Sequence, residues 1–131
     1  MRPSLTFWLL LAILGIVLYA IFTPRIGRNV QARTTAAYAD INGGIKSALG
    51  QFKLDTGSYP KGSNGLVELV QQASGTTHWH GPYLDRIPID PWGNKYFYEC
   101  PGRHNTNAYD LFSAGTDGRI GTEDDIGNWQ N

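Results

Sequence analysis

The nine residues from Asp117 to Asp125, "DGRIGTEDD", carry four carboxylates, Asp117, Glu123, Asp124 and Asp125. Like charges at this density repel one another unless water, a folded scaffold or a cation compensates them. An EF-hand is excluded, because Arg119 and Gly121 stand where that loop needs acidic or amide oxygens. Three histidines, His78, His80 and His104, are the other candidates for metal or acid–base chemistry. His78-Trp79-His80 falls in a turn-rich connection, has no HExxH-like helical spacing and faces no paired carboxylate at a diagnostic interval. No serine elbow or phosphate-cradling glycine loop is present. Cys100 is the single cysteine, so no intrachain disulfide can form, and at a strand end it reads as packing rather than a nucleophile. The chain reads as a non-enzyme.

The elements that must hold the acidic segment come from a chain of 131 residues whose apolar side chains are unevenly shared. Leu5 to Phe22, LTFWLLLAILGIVLYAIF, holds no charge. As a helix it is about 27 Å long, close to a hydrocarbon thickness of about 30 Å. A transmembrane helix over 1–24 is expected. A cleaved signal fits less well, because the run is long for an h-region and Phe22-Thr23-Pro24 is a poor cleavage site. The globular domain then spans 25–131, with a helical stem over 25–56 and loops and sheet over 57–131, and can bury only a modest core. Residues 1–61 carry seven Lys/Arg against Asp40 and Asp55, net +5, whereas residues 62–131 carry four Lys/Arg against nine Asp/Glu, net −5. The basic part suits anionic phospholipid or another subunit's acidic head. Arg25, Arg28 and Arg33 are explained by the membrane more simply than by nucleic acid. A bare positive-inside count would leave the domain in the cytoplasm.

Pro24 can kink the helix without ending it where a membrane or neighbouring helix holds both arms. From Val30, the residues Thr34, Ala37, Ile41, Ile45, Ala48 and Phe52 recur at helical period. Gly43, Gly44 and Gly50 weaken this stem, which therefore needs packing partners. Gly57 is placed to cap it in the left-handed conformation. Turn signals then punctuate the chain, with a short helix expected at Leu66–Gln72 and strands at Lys95–Cys100 and Ala108–Ala114, paired antiparallel across PGRHNTN. Tyr83, Trp92, Tyr96, Tyr98 and Tyr109 are expected to build the core.

The succession KSALGQFKLDTGSYP, NGL, HWHGPYLDRIPIDPWGNKYFYECPG, YDLFSAGTDG and DDIGNW resembles the major pseudopilin family of bacterial type II secretion. GPYL at 81–84, DPWGN at 90–94 and DLFSAGTDG at 110–118 carry the resemblance by their order and spacing, from about Ala36 onward. It implies an α+β, type IV pilin-like fold, in which a long N-terminal helix packs its second half on a small antiparallel sheet. It also implies a structural role. Subunits leave the bacterial inner membrane, where each is held by a single pass with its C-terminal domain in the periplasm. They stack helix inward as a homopolymer, together with other pseudopilins and platform proteins, into a filament that helps export folded proteins.

The resemblance further implies calcium in the C-terminal loop, with Asp117, Asp124 and Asp125 as the matching side chains and the carbonyls of Ala114, Arg119 and Thr122 as remaining ligands. Calcium takes six to eight hard oxygens. Its purpose would be to order a segment with too few apolar side chains to offset its chain entropy, which suits the periplasm. Glu123 is expected to remain a solvated neighbour. Family members carry a basic leader and a glutamate early in the mature helix. Aligning ILGI at 13–16 places Thr6 at the glutamate position, with no leader before it. An altered start, a divergent anchored subunit and a filament-tip subunit all fit that departure. The alternative function is a membrane-anchored, calcium-dependent binding or adhesion module that does not polymerise.

Overall fold

The structure, a computed structural model, describes residues 4–130, without the side chains of residues 22–26. The chain divides into two compact units, one ending at Ala32 and one beginning at Arg33. Helix α1 (Leu5–Ala39) runs unbroken in backbone conformation through Pro24. In the first unit every large apolar side chain from Leu5 to Ile21 is 44–82% exposed. Phe7 and Trp8 meet edge to face, with centroids 6.0 Å apart. Among the described residues no helix is long and apolar enough to cross a membrane. The run read from the sequence as Leu5–Phe22 extends into residues 22–26, whose side chains lie outside the described ones.

The second unit is built on the stem. Ala37, Ile41, Ile45, Ala48 and Phe52 are buried, as the helical period predicts, and Leu49 joins them, whereas Val30 of the same stripe is 41% exposed. Between Ala39 and α2 (Lys46–Thr56), the segment Asp40–Ile45 widens into a π-helical turn that holds Gly43-Gly44. A glycine pair gives little resistance to the changed i→i+5 bonding. Asp40 is held at this turn by the hydroxyl of Tyr96, which donates to its Oδ2 over 2.7 Å. The stem ends where Gly57 takes φ 87° and donates its N–H to Lys53 O over 2.9 Å.

The short helix expected at Leu66–Gln72 is a 3₁₀ turn over Gly65–Leu69. Its carbonyls are taken from outside. Trp79 Nε1 donates to Glu68 O, and the N–H groups of Tyr83 and Leu84 both donate to Leu69 O, so no α-helical ladder can continue. Leu66 and Leu69 enter the core.

Strands β1 (Phe97–Glu99) and β2 (Asp110–Ser113) pair antiparallel, with Tyr98 opposite Leu111, and β3 (Ile126–Gly127) joins the other edge of β2. Tyr98, Leu111 and Ile126 face the stem side of the sheet and, with Tyr96 and Tyr109, close the core. Tyr83 and Trp92, also expected in it, are partly buried against its edge. The outer face carries Phe97 stacked on Phe112 at 5.2 Å, with Trp129 edge-on to Phe112 at 5.4 Å.

Candidate metal centre

The acidic segment begins where β2 ends, and its entrance is fixed by a buried polar chain. In the DPWGN turn, Asp90 Oδ1 accepts the N–H groups of Trp92 and Asn94 at 3.0 and 2.7 Å, the pattern of an Asx-turn. Its Oδ2 accepts the Ser113 hydroxyl at 2.5 Å, and Ser113 Oγ in turn accepts the N–H of Gly115. Asp90 is 3% exposed and Ser113 fully buried. Gly115 has φ 63°, and a Cβ there would run into the Asp124 carbonyl oxygen. Only glycine lets the outgoing and returning arms of the loop approach this closely.

Within the loop, three backbone N–H groups and one hydroxyl face the carboxylates of Asp117, Asp124 and Asp125. Asp117 Oδ1 accepts the N–H of Arg119 at 2.8 Å, and Asp124 Oδ2 accepts the N–H of Asp117 at 2.9 Å. The Thr122 hydroxyl has one proton and three oxygens around it: Asp124 Oδ1 at 2.7 Å, Arg119 O at 3.1 Å and Asp117 Oδ1 at 3.3 Å. Asp125 Oδ2 accepts the N–H of Gly121 at 2.7 Å, while its Oδ1 is buried with no hydrogen-bond partner. The Thr122 hydroxyl, then the Asp117 N–H, hold the Asp124 carboxyl below the usual carboxylate range. Thr122 therefore brings Asp117 and Asp124 to one hydroxyl, Asp125 turns towards Gly121, and Glu123 is exposed. Ala114 is fully buried at the loop's mouth, and the carbonyls of Arg119 and Thr122 lie inside the loop, the latter accepting the N–H of Asp125 at 3.3 Å. Among the described residues no three His, Cys, Asp or Glu side chains gather as a group that could hold a metal by themselves. The arrangement does fit a hard cation that also takes carbonyl oxygens: three oxygens share the one Thr122 proton, and one buried carboxylate oxygen of Asp125 has no proton to accept.

The histidines are dispersed. His80 Nδ1 lies 3.6 Å from Asp55 on α2, and His104 Nδ1 lies 3.0 Å from Asp110 on β2. His104 also stacks on Trp129 at 3.9 Å. Cys100 Sγ is directed at Ala108 O. Two groups that sequence reading missed also shape the site. Asp110 is a buried carboxylate ringed by the N–H groups of Arg103, His104 and Asn105, and Gln130 bonds the Asp125 carbonyl. The short GRHN stretch, five to eight residues ahead of Asp110, was the available signal for the first. The second had none.

Known proteins resemble this chain over most of its length. The family described as "Type II secretion system (T2SS), protein G" matches residues 25–129. The chain belongs to that family. Among relatives, the type II secretion system core protein G of Pseudomonas aeruginosa is 40% identical over 126 residues, covering 91% of this chain and 87% of its own length. The Escherichia coli K12 protein of the same name is 38% identical over 123 residues, with 91% and 83% covered. The crystal structure of the major pseudopilin from the type 2 secretion system of enterohaemorrhagic Escherichia coli superposes with a TM-score of 0.70 at 34% identity, covering 79% of this chain and 88% of that one. The α+β, pilin-like fold expected from the sequence is thus the fold of a solved member of the family.

Proposed function

We infer that this chain is a structural subunit of a type II secretion pseudopilus. The observation that carries the reading is the stem packed on a small antiparallel sheet, shared with the major pseudopilin at a TM-score of 0.70. The role is scaffolding rather than catalysis. The apolar side chains from Leu5 to Ile21, exposed all around α1, call for a non-aqueous partner. The inner membrane supplies it before assembly, and the N-terminal helices of further copies supply it within a periplasmic filament that helps export folded proteins. Other pseudopilins and the inner-membrane platform are the remaining partners. Deleting the gene in the host that carries it is expected to leave folded exoproteins in the periplasm, and reintroducing the chain to return them to the medium. Unchanged secretion in the deletion strain would overturn the role.

The same reading gives calcium to the C-terminal loop. Asp117, Asp124 and Asp125, with the carbonyls of Ala114, Arg119 and Thr122, would hold it. The ion would supply there the positive charge that a single Thr122 proton cannot. What supports this is the acceptor surplus around Thr122 and the unpartnered Asp125 Oδ1. Ion binding to the folded state alone raises stability by mass action. Millimolar calcium is therefore expected to raise the melting temperature of the full chain in detergent micelles by at least about 5 °C over chelator. Asp117→Ala and Asp124→Ala should shrink that gain, and equal melting temperatures in calcium and chelator would remove the cation from the account.

A further inference from the structure

We propose that Gln130 couples the cation loop to the stem, so that calcium occupancy and stem order reinforce each other; the proposal rests on the calcium reading above. The Gln130 amide is used on both sides. Its Nε2 donates to the Asp125 carbonyl over 2.9 Å, and its Oε1 accepts the N–H of Gly127 at 3.0 Å and the hydroxyl of Tyr38 at 3.1 Å. Tyr38 stands in the last turn of α1, between the fully buried Ala37 and Ile41 and just ahead of the π-helical turn.

Asp125 thus meets two requirements at once. Its carboxylate belongs to the loop, with Oδ2 on the Gly121 N–H and Oδ1 buried and unpaired, while its carbonyl fixes the glutamine that reaches the stem. Without an ion, the unsatisfied Oδ1 favours any shift of Asp125 towards water. Such a shift carries the carbonyl with it and releases Gln130 from Tyr38. An ion on the carboxylate holds the residue, and through it the amide and the phenol. The chain of contacts is short and hydrogen-bonded throughout, and a coupling free energy of this kind acts in both directions. A stem held by its neighbours therefore keeps the loop closed and raises its affinity for the ion. The tie from Tyr96 to Asp40, two residues further along, anchors the stem to the β1 side of the head. Tyr38 is a hydrogen-bonded link from the stem to the C-terminal arm, beside the packing of Ile126 in the shared core.

The test is amide hydrogen exchange and calcium titration on the full chain in detergent micelles, comparing wild type with Tyr38→Phe and Gln130→Leu. In wild type, calcium should slow exchange both in residues 115–130 and in the stem around residues 36–42. In each variant the loop should still be protected, the stem response should be lost, and the calcium dissociation constant should rise about two- to tenfold, the range for one neutral hydrogen bond. A stem response that persists in both variants, or is absent in wild type while the loop responds, overturns the coupling. Calcium that protects no segment of the wild type overturns the cation reading itself and the coupling with it.

Discussion

Ile45→Asp is expected to destabilise the unit that begins at Arg33 by a large part of its total stability. Ile45 is 1% exposed, at the junction of the π-helical turn and α2, and belongs to the same core as Leu49, Leu111 and Ile126. An unpaired carboxylate there loses the burial of an isoleucine, worth about 2–3 kcal/mol, and adds the cost of an ion in an apolar site, so that a total above about 4 kcal/mol is expected. A domain of this size has about 5–15 kcal/mol in all. Thermal or urea unfolding by circular dichroism in micelles checks it, with Leu54→Asp as the control. Leu54 lies on the same helix but is 78% exposed, and its substitution should change stability by less than about 0.5 kcal/mol. A cooperative transition of normal midpoint in Ile45→Asp would mean that the stem does not pack on the sheet.

The second large effect belongs to Asp110. This carboxylate, 3% exposed, accepts the N–H groups of Arg103, His104 and Asn105 at 2.7, 2.8 and 2.9 Å, and the His104 ring at 3.0 Å. Burial on its own would raise its pKa, but the N–H groups of His104 and Asn105, the His104 ring and the Arg103 N–H outweigh burial and hold it below the ordinary value. Asp110→Ala leaves three converging donors without their acceptor and should cost about 2–4 kcal/mol. The pH dependence follows from the direction of the shift. A carboxyl with a folded pKa below its unfolded value of about 3.9 contributes fully above that pH and loses the contribution as pH falls through the folded value. The stability gap between wild type and Asp110→Ala should accordingly be constant near neutrality and close below about pH 4. Denaturant titrations from pH 3 to 7 measure it, and a gap independent of pH would show that the carboxylate's charge is not what the loop uses.

The parts legible in the sequence are those fixed by local pattern. Ala37, Ile41, Ile45, Ala48 and Phe52 announce the stem by period alone, Gly57 announces its end, and the Tyr- and Phe-rich runs announce β1 and β2. What sequence did not show depends on contacts distant along the chain. The 3₁₀ turn stops at Leu69 because Trp79, Tyr83 and Leu84 take its carbonyls. β3 is two residues long, and it exists because β2 offers an edge to Ile126 and Gly127. The π-helical turn is a bonding choice that DINGGI permits but does not declare. In the candidate metal centre, the acidic residues were visible by type. Their distribution was not: Asp117 and Asp124 meet at Thr122, Asp125 turns to Gly121, and Asp90 acts from 23 residues away through Ser113. Gln130 gave no signal, because its meaning lies in Tyr38, 92 residues earlier.

The central claim, that the chain builds a filament through its N-terminal helix, is tested most directly by electron microscopy of cells that overproduce it with its secretion machinery. Wild-type chain should give filaments decorated by antibody to the head. Replacing both Leu10 and Ile13 by aspartate, at positions 66% and 55% exposed on α1 and outside the second unit, should abolish the filaments while the head keeps its normal unfolding transition. Filaments that form equally well from the double variant, or no filaments from wild type, would contradict the account.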